Sequence, residues 1–273
     1  TVIEEGRLWL NASSVRVLSR TVRAGDVIDV IPGDDRLAPP EQAPSPVGIV
    51  HEDGWLVAVN KPPGLASQPP RDRRHGELTA PEVLAMQLAL RDGHRVDVLL
   101  FHRLDRITSG LLVLARHHEA ARALTRAWQA GAAEKTYLAV VRGDPGPAPL
   151  AMARAIGRDR LTPGRFRTDR SGKTARTEVV RVAASGGLAL VTARPLTGRS
   201  HQVRVHLAEL GFPVAGDRLY GGGGGAVRPF LHAWRLGLPH PRDGARLQLE
   251  APLPADMQQF LAAHDLAWEP PAP

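Results

Sequence analysis

The sequence predicts an α+β fold, because strand-like and helix-like segments follow one another in irregular order rather than in a repeating pattern. Short apolar runs with the length and composition of strands lie at residues 55–59, 111–115, 137–141, 175–182 and 188–193. Longer segments with an apolar residue every three or four positions, the spacing of a helix face, lie at 79–93, 117–130 and 201–210. With 43% hydrophobic residues, the 273-residue chain can bury one large core and a small appendage.

The three predicted helices have start or stop signals at their ends. Thr79 and Glu82 have the spacing of a capping box, and Gly93 stands where that helix is expected to end. Gly131 follows the second segment and Gly211 follows the third, again at the position of a helix stop. The apolar stripes are expected to face the core: Val83, Leu84 and Leu88, then Ala121, Leu124 and Trp128, then Val203, Leu207 and Leu210.

Composition divides the chain into three parts. Residues 1–31 alternate apolar and polar side chains over short stretches, which predicts short strands joined by tight turns. Residues 32–46 are rich in proline and poor in apolar residues, as in a semi-rigid linker. Residues 47–273 are expected to form the main domain. Within it, the glycine run 221–225 is expected to be a mobile loop without a role of its own.

Charge and residue content restrict the function classes. Lys and Arg total 35 against 28 Asp and Glu, and this net charge of +7 fits a polyanionic partner such as nucleic acid or, alternatively, an Arg-rich composition bias. The absence of cysteine excludes disulfides, thiolate nucleophiles and the usual structural zinc sites. No apolar run approaches the roughly 18 residues that span a bilayer, and the first residues lack a secretory pattern, so we expect a cytoplasmic protein.

Motifs of other enzyme classes are incomplete. Residues 172–174 resemble the end of a phosphate-binding loop, but Arg167 replaces the glycine required five positions earlier. Residues 198–202 resemble the nucleophile turn of a serine hydrolase, but the second glycine is missing, so Ser200 is a weak candidate nucleophile. The histidines do not have the spacing that places two metal ligands on one helix face, so no metal site is predicted.

The densest group of charged residues, 101–110, leads directly into the apolar run 111–115. Within it, Asp105 is flanked by Arg103 and Arg106. Nearby positive charge favours an ionised carboxylate, so Asp105 is a candidate nucleophile or base toward an electron-poor sugar-base centre. The alternative is a surface ion pair, which is the more common role of an aspartate between two arginines.

A second group, 198–206, opens the third predicted helix. Arg204 lies about 100° around the helix axis from Val203, at the edge of the buried stripe, where an arginine is partly desolvated. Such an arginine needs a carboxylate held in a two-pronged geometry, and we expect Asp105 to be that partner. A different face carries donors suited to phosphate or ribose hydroxyls, or else solvated surface residues: Arg199, Gln202 and His206.

Tyr137 begins the apolar run 137–141 and is one of two tyrosines in the chain. An aromatic ring with a hydroxyl group can stack on an unpaired base and also touch the reacting atoms. A tyrosine in a strand is more often a core residue, and that alternative stays open on the residue alone.

Five short segments occur in a fixed order: 60–64, 102–111, 135–137, 198–206 and 216–217. In this order they resemble the RluA family of pseudouridine synthases, over about three quarters of the chain, from His51 to Ala251. The related RsuA branch usually has glycine at the position of His102, so the RluA branch is the better match.

By this resemblance, Asp105 is the catalytic aspartate, Arg204 is its ion-pair partner, and Tyr137 stacks on the target base and takes part in removing its C5 proton. Arg103 is expected to enter the RNA stack as the uridine flips out, because an enzyme that acts on a base must first extrude it. Further RNA contacts are expected at six positions: Lys61, Arg106, Arg199, His201, Gln202 and His206.

The resemblance also implies a mixed, mainly antiparallel sheet with flanking helices and a central RNA-binding cleft. The implied activity is the isomerisation of uridine to pseudouridine in ribosomal or transfer RNA, without a cofactor, by a monomer. Residues 1–31 resemble part of a small RNA-binding domain shared with a ribosomal small-subunit protein, so a partial auxiliary RNA contact is expected there. A non-catalytic RNA-binding protein, for which Asp105 would be dispensable, is the alternative function.

Overall fold

A large mixed sheet with helices on both faces makes up most of the described chain, which confirms the predicted α+β class. The structure is a computed structural model that describes residues 8–10, 13–14, 21–30, 45–69, 77–223 and 226–268. None of the helices in these ranges is long and apolar enough to cross a membrane.

A small antiparallel sheet stands at the start of the chain, in the strand order β2-β1-β3. Its strands are β1 (Leu8–Leu10), β2 (Ser13–Ser14) and β3 (Ile28–Val30). They agree with the short strands predicted for residues 1–31. The predicted linker, 32–46, lies outside the described residues except for Ser45 and Pro46.

The main sheet has the strand order β4-β5-β7-β14-β8-β13-β12-β9, with β6 paired to β7 and β15 paired to β14. The strands after β3 are β4 (Gly48–Glu52), β5 (Leu56–Lys61), β6 (Leu99–Leu100), β7 (Ser109–Ala115), β8 (Glu134–Arg142), β9 (Leu150–Met152), β10 (Ile156–Arg158), β11 (Phe166–Thr168), β12 (Thr177–Ser185), β13 (Leu188–Pro195), β14 (Leu231–Pro239) and β15 (Arg246–Glu250). Strands β10 and β11 form a separate hairpin. Within the main sheet only the β7–β14 pair is parallel, so the sheet is mixed and mainly antiparallel, as predicted.

Gly110 is required where β7 meets β14. Its φ is 112°, in the region that favours glycine, and an added Cβ would lie 2.2 Å from the carbonyl oxygen of Ala233. The parallel pairing of Ser109 with His232 begins at this close approach. The start of β7, directly after the Asp105 loop, is therefore fixed against the start of β14.

The helices are α1 (Ala80–Asp92), α2 (His118–Gln129), α3 (Gln202–Glu209) and α4 (Ala255–Ala263). The first three lie where the sequence predicts them, whereas α4 was not predicted. At the start of α1 the Glu82 carboxylate accepts a 2.8 Å hydrogen bond from the Thr79 backbone N–H, as a capping box requires. Gly93 ends that helix in the left-handed conformation, with φ 71°.

The central strands are buried on both faces, which explains their continuous apolar runs. In β7, Leu112 and Leu114 pack against α1, and Val113 packs against α2. In β8 the two faces pack in the same way against α3 and α4. Tyr137 contacts both the α1 and the α3 clusters, so these two helices cover the same face of the sheet. This face holds the candidate active site.

Candidate active site

A cavity of about 270 Å³ lies where the loop before β7 meets the segment that leads into α3. Its walls come from segments that are far apart in the sequence, including the start of β8 and the start of β14. The cavity brings together most of the sequence-predicted site residues: Arg103, Asp105, Tyr137, Arg199, His201, Gln202 and Arg204.

The loop that carries Asp105 is fixed at several points. The Ser67 hydroxyl donates to the Leu104 carbonyl over 2.9 Å and accepts from the Leu104 N–H over 3.1 Å. His102 accepts a 2.9 Å hydrogen bond from the Val113 N–H at Nε2, and burial lowers the pKa of His102 to about 3, so its ring is neutral. These bonds hold the Asp105 carboxylate at the cavity wall, where its side chain is 18% exposed.

Arg204 binds two carboxylates, and the two-pronged partner is not the one predicted. Its Nε and Nη2 atoms donate to the Oδ2 and Oδ1 atoms of Asp217, over 2.6 and 2.9 Å. Asp105 is reached by the remaining nitrogen, with 3.5 Å between Nη1 and Oδ2. The predicted contact between Asp105 and Arg204 is therefore present as a single ion pair, but the prediction of two-pronged geometry between them is wrong.

The charge of Arg204 is secured by its surroundings. Burial lowers the pKa of Arg204, but the hydrogen bonds to Asp217 and the carboxylate of Asp105 outweigh burial, so the pKa lies above its ordinary value. The Tyr220 ring covers the guanidinium at 4.9 Å. Arg204 and Asp217 are both almost fully buried, which makes this pair a rigid support behind Asp105.

Tyr137 presents its ring to the same cavity from β8. Burial raises the pKa of Tyr137, and the Asp105 carboxylate raises it further, because both disfavour a phenolate. The hydroxyl group is therefore protonated in the free protein. A flat apolar face with a neutral hydroxyl beside a carboxylate suits a planar, polar ring such as a base.

Cationic side chains surround the cavity. Arg103 is exposed, Arg199 is partly exposed, and Lys135 lies over the aromatic ring of Trp128, with its Nζ 5.1 Å from the ring centre. Burial and the charge of Arg199 lower the pKa of Lys135. Lys135 was not predicted as a site residue, although it stands two positions before Tyr137, and alternate residues of a strand share a face.

Lys61 is wrongly predicted as an RNA contact. It is the last residue of β5 rather than part of the following turn, and its side chain is fully buried. Its ammonium group donates to three backbone carbonyls, those of Pro62, Leu65 and Arg106, at 3.0, 2.8 and 3.2 Å. Burial lowers the pKa of Lys61 to about 7, against the opposing effect of Asp105. Lys61 therefore ties the turn after β5 to the loop of Asp105.

Gln202 and His206 are also buried. Gln202 still lines the cavity, so its RNA contact stays a prediction, whereas the full burial of His206 contradicts the contact predicted for it. Gln202 donates to the backbone carbonyl of Arg176 and accepts from the Arg199 N–H. His206 is fully buried, and its two ring nitrogens contact the Thr177 hydroxyl and the Arg154 carbonyl, each over 2.9 Å. Both side chains therefore fix α3 against its neighbours.

Arg106 stays a predicted RNA contact. Its side chain is 57% exposed, although its Nε donates to the Gly64 carbonyl over 2.8 Å and its Nη1 pairs with Glu77 at 2.5 Å. It lies in a groove next to the cavity, which Asp105 and Arg204 also line.

Two important residues of the site were not predicted from the sequence. Asp217 and Tyr220 belong to the turn before the glycine run, and they support Arg204 from behind. Gly222 is buried in this turn, donates its N–H to the Asp217 carbonyl over 2.8 Å, and leaves no room for a Cβ beside Val214. The expectation of a mobile loop without a role is therefore wrong at Gly222.

The arrangement combines a fixed carboxylate, a buried guanidinium, a stacking surface and a cationic rim. Within the described ranges no group of three or more His, Asp or Glu side chains is placed to hold a metal ion. The site can thus supply a nucleophile or base, an aromatic platform and phosphate contacts from its own side chains.

Comparison with known proteins agrees with this chemistry. Residues 55–209 match the RNA pseudouridylate synthase family. A Chloroflexus aurantiacus protein described as an uncharacterized RNA pseudouridine synthase is 38% identical, over 95% of this chain and 82% of that protein. Ribosomal large subunit pseudouridine synthase D of Nitrosomonas europaea is 36% identical, over 92% of this chain and 75% of that protein.

A solved structure has the same fold. Human RNA pseudouridylate synthase domain containing 4 superposes with a TM-score of 0.66 at 28% identity, over 79% of this chain and 92% of that one. The family match covers more than half of the chain, and it includes the Asp105 loop, Tyr137 and the Arg204 helix. The chain therefore belongs to the RNA pseudouridine synthase family, as an RNA isomerase of the RluA type.

Proposed function

We propose that Asp105 is the catalytic group of this pseudouridine synthase, with Arg204 and Tyr137 as its partners. The observation that carries the proposal is the convergence of these three side chains, from three separate segments, on one small cavity. A carboxylate 3.5 Å from a buried guanidinium is held in place beside a fixed positive charge.

The isomerisation needs no group beyond those in the cavity. The bond between N1 of uracil and C1′ of ribose breaks, the uracil turns while it stays in the cavity, and C5 then joins C1′. C5 loses a proton and N1 gains one, so the atoms balance without a second substrate. Asp105 acts by attack on the ribose, by addition to the base or by removal of a ribose proton, and each of these routes requires the same carboxylate.

Tyr137 is proposed to stack on the extruded uracil and to assist the loss of the C5 proton. Because the pKa of Tyr137 is raised, the hydroxyl must give up its own proton before it can accept another. Stacking requires no change of protonation, and it is the more direct contribution of the ring.

The RNA is proposed to lie across the cationic rim. Arg103 is exposed at the cavity mouth, and its position suits a side chain that fills the gap left by the flipped uridine. Arg106 and Arg199 are proposed as further contacts to phosphate or ribose.

The substrate is proposed to be ribosomal or transfer RNA, and the name of the Nitrosomonas europaea relative favours large-subunit ribosomal RNA as the first to test. We propose that the chain acts as a monomer in the cytoplasm. Residues 1–31 are proposed as an auxiliary RNA-binding appendage, residues 32–46 as a linker and residues 47–273 as the catalytic domain.

The test is to incubate the protein with total cellular RNA that lacks pseudouridine, and then to map new pseudouridines by chemical adducts and primer-extension stops. New stops that depend on the wild-type protein and disappear with Asp105→Asn would support the proposal and identify the site. If the wild type binds RNA but leaves no stops in any RNA class, the alternative of a non-catalytic RNA-binding protein is the better account.

A further inference from the structure

His201 precedes α3 in a backbone conformation that residues with side chains seldom adopt. Its φ of 56° and ψ of 17° lie in the left-handed region. Among the described residues, Asp265 is the one other non-glycine residue with a positive φ. Such conformations persist where surrounding contacts hold them, and they cluster at functional sites. The contacts of the His201 ring therefore indicate which function this backbone conformation supports.

The imidazole ring of His201 joins the catalytic carboxylate to a second tyrosine. Its Nε2 lies 3.8 Å from Oδ2 of Asp105, and its Nδ1 lies 2.8 Å from the Tyr220 hydroxyl oxygen. The Phe166 ring packs edge-on against the imidazole at 5.1 Å. The 3.8 Å separation is longer than a hydrogen bond, as is common for catalytic groups before a substrate closes the site.

One backbone group favours a single direction for these hydrogen bonds. The N–H of Phe166, in β11, donates to the Tyr220 hydroxyl oxygen over 2.9 Å. Because a backbone N–H can only donate, the oxygen is the acceptor there, and the hydroxyl hydrogen is available to be donated to Nδ1 of His201. A neutral imidazole that accepts at Nδ1 carries its hydrogen on Nε2. The Nε2–H group then points at Asp105.

Two further features agree with this arrangement. Burial lowers the pKa of His201 more strongly than the Asp105 carboxylate raises it, so the ring is neutral near pH 7. Arg204 contacts the same carboxylate oxygen, Oδ2, over 3.5 Å. With both donors at Oδ2, the other oxygen, Oδ1, is expected to face the substrate.

We infer that His201 is a positioning residue that holds the Asp105 carboxylate in its reactive orientation, and that Tyr220, whose hydroxyl oxygen is bound by the Phe166 N–H of β11, sets the tautomer of His201. The inference rests on the proposed catalytic role of Asp105. The sequence predicts instead that His201 contacts RNA. A direct RNA contact would change the affinity for RNA, whereas a positioning role changes the rate of reaction of RNA that is already bound.

Three substitutions separate these roles. In His201→Gln the amide nitrogen takes the place of Nε2, so a donor toward Asp105 is kept. In His201→Asn the amide reaches only the place of Nδ1, so that donor is lost. Tyr220→Phe removes the hydroxyl but keeps the ring that covers Arg204. The measurement is the single-turnover rate of pseudouridine formation at saturating enzyme, together with the Kd for the same RNA and the melting temperature of each variant.

We expect His201→Asn to lower the single-turnover rate by about 20-fold and His201→Gln by less than about 3-fold, with Kd values within about 2-fold of wild type. Tyr220→Phe should lower the rate by about 5-fold. Because Tyr220 acts through His201, the double variant His201→Asn/Tyr220→Phe should be no slower than His201→Asn alone.

Other outcomes overturn the inference. A weaker Kd with an unchanged single-turnover rate assigns His201 to RNA binding, and multiplicative rate losses in the double variant show that Tyr220 does not act through it. If the Gln and Asn variants lose the same fraction of the single-turnover rate at unchanged melting temperature, the Nε2 donor has no role in that rate. The same assay includes Asp105→Asn: if it reacts as fast as wild type, the proposed function fails, whereas an inactive Asp105→Asn beside a normal His201→Asn overturns only the inference.

Discussion

Arg204 and Asp217 form a two-pronged ion pair that is almost fully buried, with Nε–Oδ2 and Nη2–Oδ1 distances of 2.6 and 2.9 Å. This pair fixes the guanidinium so that only Nη1 is left toward Asp105. The position of the Asp105 carboxylate thus depends on a second carboxylate that lies outside the cavity wall.

Replacing Asp217 by asparagine should cost both stability and turnover. The buried guanidinium would lose its charged partner, and removing one member of a buried ion pair typically destabilises a protein by about 3–5 kcal/mol. Urea unfolding should show a loss of that order, and the single-turnover rate should also fall. Asp243→Asn is the matched control, because that side chain is 59% exposed and its substitution should change stability by less than about 0.5 kcal/mol. Equal effects at the two positions would contradict this account.

Replacing Lys61 by methionine should lower stability without changing RNA binding, and replacing Lys173 by methionine should do the opposite. Lys61→Met removes one buried donor that binds three backbone carbonyls, of which only the Arg106 carbonyl keeps a hydrogen bond within the described residues, from the Gly64 N–H, so the free energy of unfolding should fall by about 2 kcal/mol, with the salt dependence of RNA binding unchanged. Lys173 is exposed beside the β10–β11 hairpin, so Lys173→Met should keep stability and weaken RNA binding. A weaker salt dependence for Lys61→Met would restore the RNA contact that the sequence predicts.

The β10–β11 hairpin should bind the RNA backbone. Arg158, Arg160 and Arg167 are exposed on it, and each phosphate contact contributes about 0.7–0.9 to the slope of log Kd against log salt concentration. Replacing all three by glutamine should lower that slope by about 2. The slope is measured by filter binding between low and moderate salt.

The control for the hairpin variant removes the same charge elsewhere. Arg91 contacts Glu52 at the far end of β4, and His240, in the turn that carries Arg242, contacts Asp53 in the same region. Replacing Arg91, Arg95 and Arg242 by glutamine should leave the slope of log Kd against log salt concentration unchanged. If both triple variants lower the slope equally, binding follows net charge and the hairpin has no special part.

Buried histidines should make the protein less stable in acid, and His102 contributes to this. Its pKa is about 3 in the folded protein, below the ordinary value of 6.5, so between these values the unfolded chain binds more protons. The free energy of unfolding therefore rises with pH across this window and falls on acidification. His102→Gln keeps an acceptor for the Val113 N–H. The substitution should make the rise of the free energy of unfolding with pH less steep, by about 1 kcal/mol per pH unit near pH 5. Urea unfolding at pH 4.5, 5.5 and 7 measures it, and an unchanged slope would refute the neutral, buried His102.

The parts of the site that could be predicted are those whose sequence signals lie within one contiguous segment. Asp105 and Arg204 each stand beside an apolar run or stripe, and the structure has them before β7 and in the first turn of α3, as predicted. Tyr137 lies inside its strand rather than at its predicted start, because β8 begins at Glu134. The pairing of Asp105 with Arg204 was predicted from charge and burial, whereas the role of Tyr137 beside them was predicted only through the family resemblance. The helices α1, α2 and α3 were predicted because their caps and stripes are local signals.

The rest depends on tertiary contacts that local patterns do not contain. Lys61 reads as a turn lysine, and its burial depends on the carbonyl of Arg106, 45 residues further along the chain. Asp217 replaces Asp105 as the two-pronged partner because its turn, closed by Gly222, brings it against α3. Strand β14 was missed because its parallel pairing with β7 is long-range.

The most direct test of the central claim is the release of tritium from RNA labelled at uridine C5, measured for wild type and Asp105→Asn under single-turnover conditions. The label leaves only when C5 exchanges its hydrogen for the bond to ribose. The account predicts release by wild type and a loss of more than about a thousand-fold for Asp105→Asn, with the RNA Kd within about 3-fold of wild type. Release by Asp105→Asn within about 10-fold of the wild-type rate would contradict a catalytic role for this carboxylate.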